Sequence, residues 1–287
     1  MIDLHTHTNY SDGTWCLRKL LEEAEKAKIE VLSITDHDTI KSHKELNDID
    51  YKEIYNGQIM PGIEFTTVYN KMFFHLLAYD FDCKQLDKWI KKNYENMKPN
   101  LNVEFEYMIE SCKKNNIKIG NLEYDESKGW PIYIIYPEIK KYEENKKYFT
   151  EEEWNNIDVF FNSCATNSNF PVFVDLSIHY PTADIVANEV RRAGGKLFVA
   201  HPFKYKLKDT IKFLDTLKNN SIIDGVEVYH SSHTEEQILI LENYCKENNL
   251  LVSGGSDCHG DKKADTKIGI GYGNLNISKT ILENWNK

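Results

Sequence analysis

Apolar residues near the start of the chain alternate between short continuous runs and helical spacing. Residues 1–4 and 31–35 are apolar runs typical of buried strands, and the leucines and alanines between residues 17 and 27 recur at the spacing of an amphipathic helix. Strand, helix and strand within about thirty residues make a βαβ unit. Further strands are predicted over residues 60–65 and 73–79.

The same alternation returns at Ala183 and continues through the later part of the chain. The helix that starts there is predicted to end at Gly194–Gly195, a common helix stop. Strands are predicted over residues 197–200, 225–228 and 250–253, with helices between them. Seven βα-type units, interrupted once, predict a parallel barrel.

Residues 81–182 interrupt this pattern. They are rich in Lys, Asn, Glu and Tyr, and only parts of them, such as residues 102–114, show helical spacing. We interpret them as an inserted, mainly helical subdomain. The barrel domain is then built from residues 1–80 and 183–287.

Composition indicates the class of protein and its compartment. The chain carries 45 acidic and 35 basic residues, a net charge of −10, so neither a broad nucleic-acid-binding surface nor a stable DNA complex is expected. The apolar runs are too short to span a membrane. The six scattered cysteines form no C-x-x-C pair, and the first residues lack a signal-peptide pattern, which predicts free thiols and a cytoplasmic protein.

Histidines and carboxylates cluster at or near the ends of the predicted strands. Because the carboxyl ends of barrel strands open onto one face, we expect these side chains to converge there. Residues two apart in an extended strand point the same way, so neighbours in this set share a site. Imidazole and carboxylate bind Mn, Fe and Zn, and six or more such ligands exceed what one tetrahedral ion needs. The set is His5, His7, Asp36, His37, Glu64, His75, His201, His230, Asp257 and His259.

Other residues of the same chemical types are interpreted as structural. His43, His179 and His233 lie outside the strand ends, where a lone histidine is more often structural than a metal ligand. Cys258 lies between two proposed ligands, but in an extended segment its thiol would point away from them.

At these positions the sequence resembles the PHP family, the polymerase and histidinol phosphatase superfamily. The likeness covers residues 1–80 and 183–275 and implies an α/β fold, a distorted seven-stranded (βα) barrel, with the activity of a metal-dependent phosphoesterase. The matching motifs are His5-Thr6-His7, Ser11-Asp12-Gly13, Thr35-Asp36-His37-Asp38, Gly62-Ile63-Glu64, His75, Ala200-His201-Pro202 and Gly255-Ser256-Asp257-Cys258-His259.

The resemblance also implies a cluster of two or three divalent ions, of Mn, Fe or Zn, held by nine residues. Carried over by position, His5, His7 and Asp257 would hold the first ion, Asp12, His37 and His259 the second, and His75 and His201 the third, with Glu64 bridging the first and the third.

Phosphate-ester hydrolysis follows from such a site, because adjacent ions acidify a shared water and yield a metal-bound hydroxide. The carboxylates Asp12, Glu64 and Asp257 would then serve catalysis as well as metal binding. Asp36, together with Asp38, is either a proton-transfer group or a group that orients its neighbours.

Three residues are candidates for contact with the substrate. His230, after the sixth strand, either contacts the phosphate or is a partly exposed loop histidine. Lys204 and Tyr205 belong to the run that follows the fifth strand, which resembles that of nucleoside 3′,5′-bisphosphate phosphatases and related 5′ exoribonucleases. The resemblance thus implies a small phosphorylated substrate, a nucleotide or the 5′ end of a short RNA.

Those enzymes place arginines near a second phosphate, whereas residues 81–182 contain none. Lys128, Lys140 or Lys147 are the candidates to replace them, as point charges without bidentate geometry. Residues 81–182 follow the fourth strand, whose carboxyl end is expected on the catalytic face, so they are predicted to form a lid. Trp130, Tyr133 and Tyr136 would stack on a base, or else form the core of the insert.

Three other functions stay open. The first is a phosphatase of histidinol phosphate or of another small phosphomonoester, with the same chemistry on a different substrate. The second is a metal-binding accessory module without catalytic activity. An amidohydrolase would usually bring a lysine that bridges two metals, and Glu64 occupies that position here.

Overall fold

The computed structural model describes residues 1–95 and 100–285, which divide into two compact units. The first unit comprises the residues up to Thr67, those from His75 to the gap, and those from Thr182 onward. The second comprises Val68–Phe74 and the residues from the gap to Pro181. Among the described helices, none has the length and hydropathy that crossing a membrane requires.

In the described chain, seven strands follow one another in sequence order around one sheet, which confirms the predicted seven-stranded barrel. The first three strands are mutually parallel, as are the last three. The barrel closes where the Leu4 N–H donates to the Gly254 carbonyl at 3.1 Å. The strands are β1 (Ile2–Asp3), β2 (Val31–Ile34), β3 (Gln58–Tyr69), β4 (Met72–Tyr79), β5 (Lys196–Val199), β6 (Gly225–His230) and β7 (Leu251–Gly255).

Strand β4 departs from the prediction of seven parallel units. A two-residue turn joins β3 to β4, and its residues Asn70 and Lys71 have φ angles of 50° and 67°, as a type I′ hairpin turn requires. β4 runs antiparallel to β5, so that Tyr79 pairs with Lys196, the first residue of β5. The chain therefore leaves β4 at the end of the barrel where the parallel strands begin. The expectation that it leaves at the catalytic face is wrong.

The described helices are amphipathic where they cover the barrel. Helix α1 buries Leu17, Leu20 and Leu21 in a core shared with Leu32 and Ile34 of β2. The helices are α1 (Leu17–Lys26), α2 (Lys41–Glu45), α3 (Cys83–Ile90), α4 (Leu101–Lys114), α5 (Ile132–Lys140), α6 (Glu151–Asn155), α7 (Ile157–Thr166), α8 (Ala183–Arg192), α9 (Thr210–Asn219) and α10 (Glu235–Asn248).

The second unit has an apolar core of its own, and its helices α4 to α7 confirm the mainly helical insert. Tyr136 belongs to this core, where its hydroxyl donates to the Trp154 carbonyl at 2.8 Å. Tyr136 is therefore not available to stack on a base. Trp130 and Tyr133 are 38% and 54% exposed, so they keep that prediction open.

Candidate metal centre

The segments that carry four of the proposed ligands pair with each other. The Asp257 N–H donates to the His5 carbonyl, and the His7 N–H donates to the Cys258 carbonyl, both at 2.9 Å. This parallel pairing sets alternate side chains to opposite sides. Cys258 accordingly belongs to the apolar core that includes Leu17, while His5, His7, Asp257 and His259 gather at the carboxyl end of the barrel.

The proposed ligands of the first ion form a compact, buried group with Glu64. The Nε2 atoms of His5 and His7 lie 3.1 Å apart, and Glu64 Oε2 is 3.1 Å from the first and 3.2 Å from the second. Asp257 Oδ1 lies 3.4 Å from each of the same two nitrogens. All four side chains can offer one ligand atom within 4.8 Å of the others.

A second group shares His7 with the first. It adds Asp12, His37 and His259, again with one ligand atom each within 4.8 Å. Asp12 Oδ1 is 3.2 Å from His259 Nε2, 3.7 Å from His7 Nδ1 and 4.0 Å from His37 Nε2. Asp12 thus faces three imidazoles with one carboxylate oxygen.

Glu64 lies between two sets of imidazoles. Its Oε2 faces His5 and His7, while its Oε1 is 3.1 Å from His75 Nδ1 and 2.9 Å from His201 Nε2. His75 reaches this face because β4 is reversed and the His75 carbonyl accepts from the Ala200 N–H, just beyond β5. The structure therefore brings together all nine residues predicted as ligands.

The hydrogen bonds of the imidazoles fit cation binding. His5 Nδ1 lies 2.7 Å from a Glu227 carboxylate oxygen, and His259 Nδ1 lies 2.8 Å from the Asp257 carbonyl. A carbonyl or an ionised carboxylate only accepts, so in each neutral ring Nδ1 carries the proton and Nε2 presents a lone pair to the cluster. Lone pairs that converge on carboxylates in this way are the donor set that divalent cations need.

The electrostatics favour positive charge around His5 and His7, whereas burial lowers the pKa values of His37, His201 and His259. Burial lowers the pKa of His5, but the negative charges of Glu227, Glu64 and Asp257 outweigh it and raise that pKa well above its usual value. Burial likewise lowers the pKa of His7, but the hydrogen bonds that its ring donates to the Asp257 and Glu64 carboxylates outweigh this and raise that pKa to about 9. A field that holds protons on buried imidazoles also attracts metal cations.

A family model for the PHP domain matches residues 3–266. The chain belongs to the PHP family. The resemblance drawn from the sequence motifs is thereby confirmed. Two relatives of this PHP chain are a protein named 5′-3′ exoribonuclease from Haemophilus influenzae and one named 5′-3′ exoribonuclease Rnm from Escherichia coli. The first is 25% identical over 90% of this chain and 89% of its own, and the second 23% identical over 90% and 84%.

Solved structures show the same fold at low identity. A protein described as a metal-dependent phosphoesterase from Bifidobacterium adolescentis has a TM-score of 0.63, 23% identity, and coverage of 98% of this chain and 93% of its own. A protein described as an amidohydrolase from Chromobacterium violaceum has a TM-score of 0.62 at 17% identity, with coverage of 93% and 89%. Both likenesses concern the PHP fold alone.

Sequence reasoning missed Glu227, a buried residue of β6. Its Oε1 is the partner of His5 Nδ1, and its Oε2 accepts from the His201 N–H at 2.6 Å. One carboxylate therefore fixes the ring of one proposed ligand and the backbone of another. The available signal was a single acid in the otherwise apolar run Gly225-Val226-Glu227-Val228.

Two proposed ligands sit on unusual backbone. His201 and Asp257 have φ angles of 29° and 57°, in a region that side-chain-bearing residues seldom adopt. Such conformations cost about 1–3 kcal/mol and persist where the surroundings enforce them. Here the Glu227 carboxylate holds His201 N, and the His5 carbonyl holds Asp257 N.

Asp36 lies beside the ligands and makes three hydrogen bonds to the loop that carries Asp12. It accepts from the Thr8 N–H, the Thr8 hydroxyl and the Ser11 hydroxyl, each at 2.7 Å. This arrangement favours the orienting role over proton transfer, because these donors occupy both oxygens. Burial raises the pKa of the neighbouring Asp38 to about 7, and one of its oxygens accepts from the Thr66 N–H at 2.7 Å.

The residues predicted to contact substrate differ in placement. Lys204 Nζ and His230 Nε2 lie 3.2 and 3.4 Å from Asp257 Oδ2, at the edge of the cluster. Tyr205 is buried, and its hydroxyl oxygen accepts from the His75 N–H at 2.8 Å. That contact is typical of a residue that positions His75, rather than of a residue that contacts the substrate.

The histidines interpreted as structural have partners away from the cluster. His43 is buried, and its Nε2 lies 2.8 Å from the Ile34 carbonyl. His179 Nε2 lies 3.1 Å from the Glu104 carboxylate in the second unit. His233 Nδ1 lies 2.9 Å from the Val228 carbonyl.

Proposed function

We propose that this hydrolase of phosphate esters acts on a nucleotide that carries a second phosphate group. The substrate would be a nucleoside 3′,5′-bisphosphate or the 5′ end of a short RNA. The observation that carries the proposal is the cluster in which Glu64 lies between two sets of imidazoles. The exoribonuclease names of the two relatives, which align with 90% of this chain, support the nucleotide.

We further propose that the nine clustered residues hold two or three divalent ions, of Mn, Fe or Zn. His5, His7, Glu64 and Asp257 would surround one ion, since their ligand atoms converge. His7, Asp12, His37 and His259 form the neighbouring group, and His75 and His201 lie on the other oxygen of Glu64. Divalent ions supply Lewis acidity to phosphate oxygens and lower the pKa of water.

The residues of the chain would bind and orient the phosphate next to these ions. The Ser232 N–H donates to His230 Nδ1 at 3.1 Å, so in the neutral ring the proton of His230 is on Nε2. That N–H and the Lys204 ammonium converge on Asp257 Oδ2, where they would also meet a phosphate oxygen. Asp36 would keep Asp12 in place through the Thr8–Ser11 loop.

The alternatives make different demands on this site. An amidohydrolase would usually use a lysine that bridges two metal ions. Among the described residues, Glu64 is the residue that belongs both to the group with His5 and His7 and to the group with His37 and His75, so it occupies that bridging position. A histidinol-phosphate phosphatase would have the same metal chemistry and a different preference among substrates. An accessory module would bind metal and hydrolyse no phosphate ester.

The test is a substrate panel on the full chain loaded with Mn²⁺. We expect kcat/KM for adenosine 3′,5′-bisphosphate and for a short 5′-phosphorylated RNA to exceed that for adenosine 5′-monophosphate by about tenfold or more, the effect of one charged hydrogen bond. Histidinol phosphate and 4-nitrophenyl phosphate should be poorer still. Equal efficiency on all of them would indicate a general phosphomonoesterase instead.

A variant of the metal centre completes this test. Asp257→Asn removes a charge from the group around His5 and His7, so we expect lost metal and turnover reduced by about a hundredfold or more. Asp184→Asn, on the exposed face of α8, is the matched control. Unchanged metal content and turnover in Asp257→Asn would contradict the proposed centre.

A further inference from the structure

A short helical turn, Gly260–Lys263, follows the last proposed ligand directly. Gly260 has a φ of 67°, and a Cβ there would lie 2.6 Å from the Thr14 hydroxyl, so this position requires glycine. The same hydroxyl accepts from the Asp261 N–H at 2.7 Å and ties the turn to the loop after Asp12. The turn therefore has a fixed place beside the metal centre, and it ends in Lys262 and Lys263.

Each lysine contacts the outer oxygen of a proposed ligand. Asp12 faces imidazoles with Oδ1, while its Oδ2 is 2.8 Å from Lys262 Nζ. Asp257 is divided in the same way, with Oδ1 towards His5 and Oδ2 3.0 Å from Lys263 Nζ. Both ligand groups thus have an ammonium group on their outer side.

Both lysines are accessible to solvent. The side chain of Lys262 is 50% exposed and that of Lys263 is 36% exposed. An ammonium group and a divalent cation on one carboxylate repel each other, and an anion placed between them relieves that repulsion. A phosphate oxygen beside the cluster is such an anion.

The arginines of the chain are engaged elsewhere. Arg18 pairs with Glu22 at 3.8 Å, Arg191 with Asp224 at 3.0 Å, and Arg192 with Glu189 at 2.6 Å. These arginines therefore do not form a bidentate guanidinium clamp at the proposed metal centre. Lysine is a flexible point charge that responds to charge more than to shape.

We propose that Lys262 and Lys263 bind the second phosphate group of the substrate, an inference that rests on the proposed function. Since an ammonium group imposes no planar geometry, the pair accepts either a terminal phosphate monoester or the phosphodiester of a short RNA. This assigns to the barrel the role that the sequence suggested for lysines of the insert. Of those, Lys140 lies over the rings of Tyr136 and Trp154.

The experiment compares Lys262→Met, Lys263→Met and the double variant with the unaltered chain, all loaded with Mn²⁺. For adenosine 3′,5′-bisphosphate we expect kcat/KM to fall about tenfold in each single variant, mainly through KM. Adenosine 5′-monophosphate and 4-nitrophenyl phosphate should change less than about threefold, the limit set by a screened surface charge. Lys263→Arg should restore most of the loss, and Lys26→Met on α1 is the control for charge alone.

Metal content, measured by elemental analysis, separates this role from support of the ligands. If the lysines only hold Asp12 and Asp257, metal content falls and all three substrates lose efficiency in proportion, which overturns the proposal. Unchanged kinetics on the bisphosphate overturns it as well. Should neither nucleotide be cleaved, the proposed function fails, and inhibition of 4-nitrophenyl phosphate hydrolysis still tests the lysines. The bisphosphate should then inhibit more strongly than the monophosphate, and the double variant should abolish that difference.

Discussion

The carboxylate of Glu227 contacts two parts of the proposed metal centre at once. One oxygen lies against His5 Nδ1 and the other against the His201 N–H, and the residue is fully buried. A carboxylate on the outer nitrogen of a metal-binding imidazole fixes the ring and raises its basicity. Glu227 is therefore a positioning residue for the proposed ligands rather than a group that meets substrate.

Glu227→Gln keeps the shape and should weaken metal binding. A glutamine has one accepting oxygen for two donors, so its amide N–H groups must face either His5 Nδ1–H or the His201 N–H. We expect the affinity for Mn²⁺ to fall about 10- to 100-fold, the range for lost partners of metal ligands. Titration calorimetry measures this directly, with Glu247→Gln on the exposed face of α10 as the control.

Thermal unfolding distinguishes weaker metal binding from a general loss of stability. Glu227→Gln should unfold at a lower temperature than the unaltered chain with Mn²⁺, and the gap should narrow in chelator. Unaltered Mn²⁺ affinity in a folded Glu227→Gln variant would show that the contact with His5 does not matter for the metal.

Among single residues, the sequence predicted those whose proposed partners lie close to them along the chain. His5 with His7 and Asp257 with His259 follow from the alternation of an extended chain. Glu227 and Lys262 were not predicted, because their partners are distant along the chain, and Lys263 was not predicted because it meets Asp257 through an irregular turn. A lone acid in an apolar run, or a lysine in a turn, has no local pattern that separates a metal-site role from an ordinary one.

Among the elements, β4 determines how the proposed ligand set is completed. The hairpin reverses the chain after β3, so His75 pairs across to the residue just beyond β5, while Tyr79 lies at the opposite end of β5. If β4 ran parallel to β5, His75 would instead lie towards the start of β5 and Tyr79 towards its end. The apolar pattern of residues 73–79 predicted a strand and carried no information on its direction.

The turn before β4 also explains why the hairpin was missed. Asn-Gly is the strongest short-range signal for a type I′ turn, and here the second position is Lys71. A lysine at a φ of 67° is strained, because its Cβ crowds the following carbonyl. The hairpin forms despite the turn residue, since flanking strand residues pack in the two cores.

Lys71→Gly should therefore stabilise the protein. Glycine relieves the strain of the left-handed conformation, and part of the gain is lost to its greater freedom in the unfolded chain. We expect a net gain of up to about 1 kcal/mol, seen as a higher midpoint in thermal unfolding. Lys71→Ala removes the same side chain without relieving the strain, so it should give no gain. Equal effects of the two substitutions would show that the turn conformation is not the cause.

The whole molecule combines an acidic chain with a substrate that is itself an anion. The net charge is −10, so long-range forces do not draw nucleic acid to its surface. In the proposed function, the attraction comes from the proposed metal centre and from Lys204, Lys262 and Lys263 at its edge. Such a site suits the end of a short strand or a single nucleotide rather than a long duplex.

Selection of a base by the second unit stays a prediction. This unit has its own core, and the described elements α4 to α7 build it between β4 and β5 along the chain. The sequence predicted α4 to within one residue but not the others. In α5, residues 132–137 form a continuous apolar run that includes Pro137, so helical periodicity is weak there.

Trp130 and Tyr133 are the exposed aromatic residues of this unit that we predict to stack on the base. Replacing both with alanine should lower kcat/KM for nucleotides and short RNA by about tenfold, since stacking on an aromatic side chain contributes about 1–3 kcal/mol per base. Hydrolysis of 4-nitrophenyl phosphate should be unchanged. Tyr107→Ala, a 45% exposed tyrosine on α4, is the matched control. Proportional loss on nucleotides and on the aryl phosphate would mean that these aromatics support the fold, and no loss on either would leave base selection to the barrel.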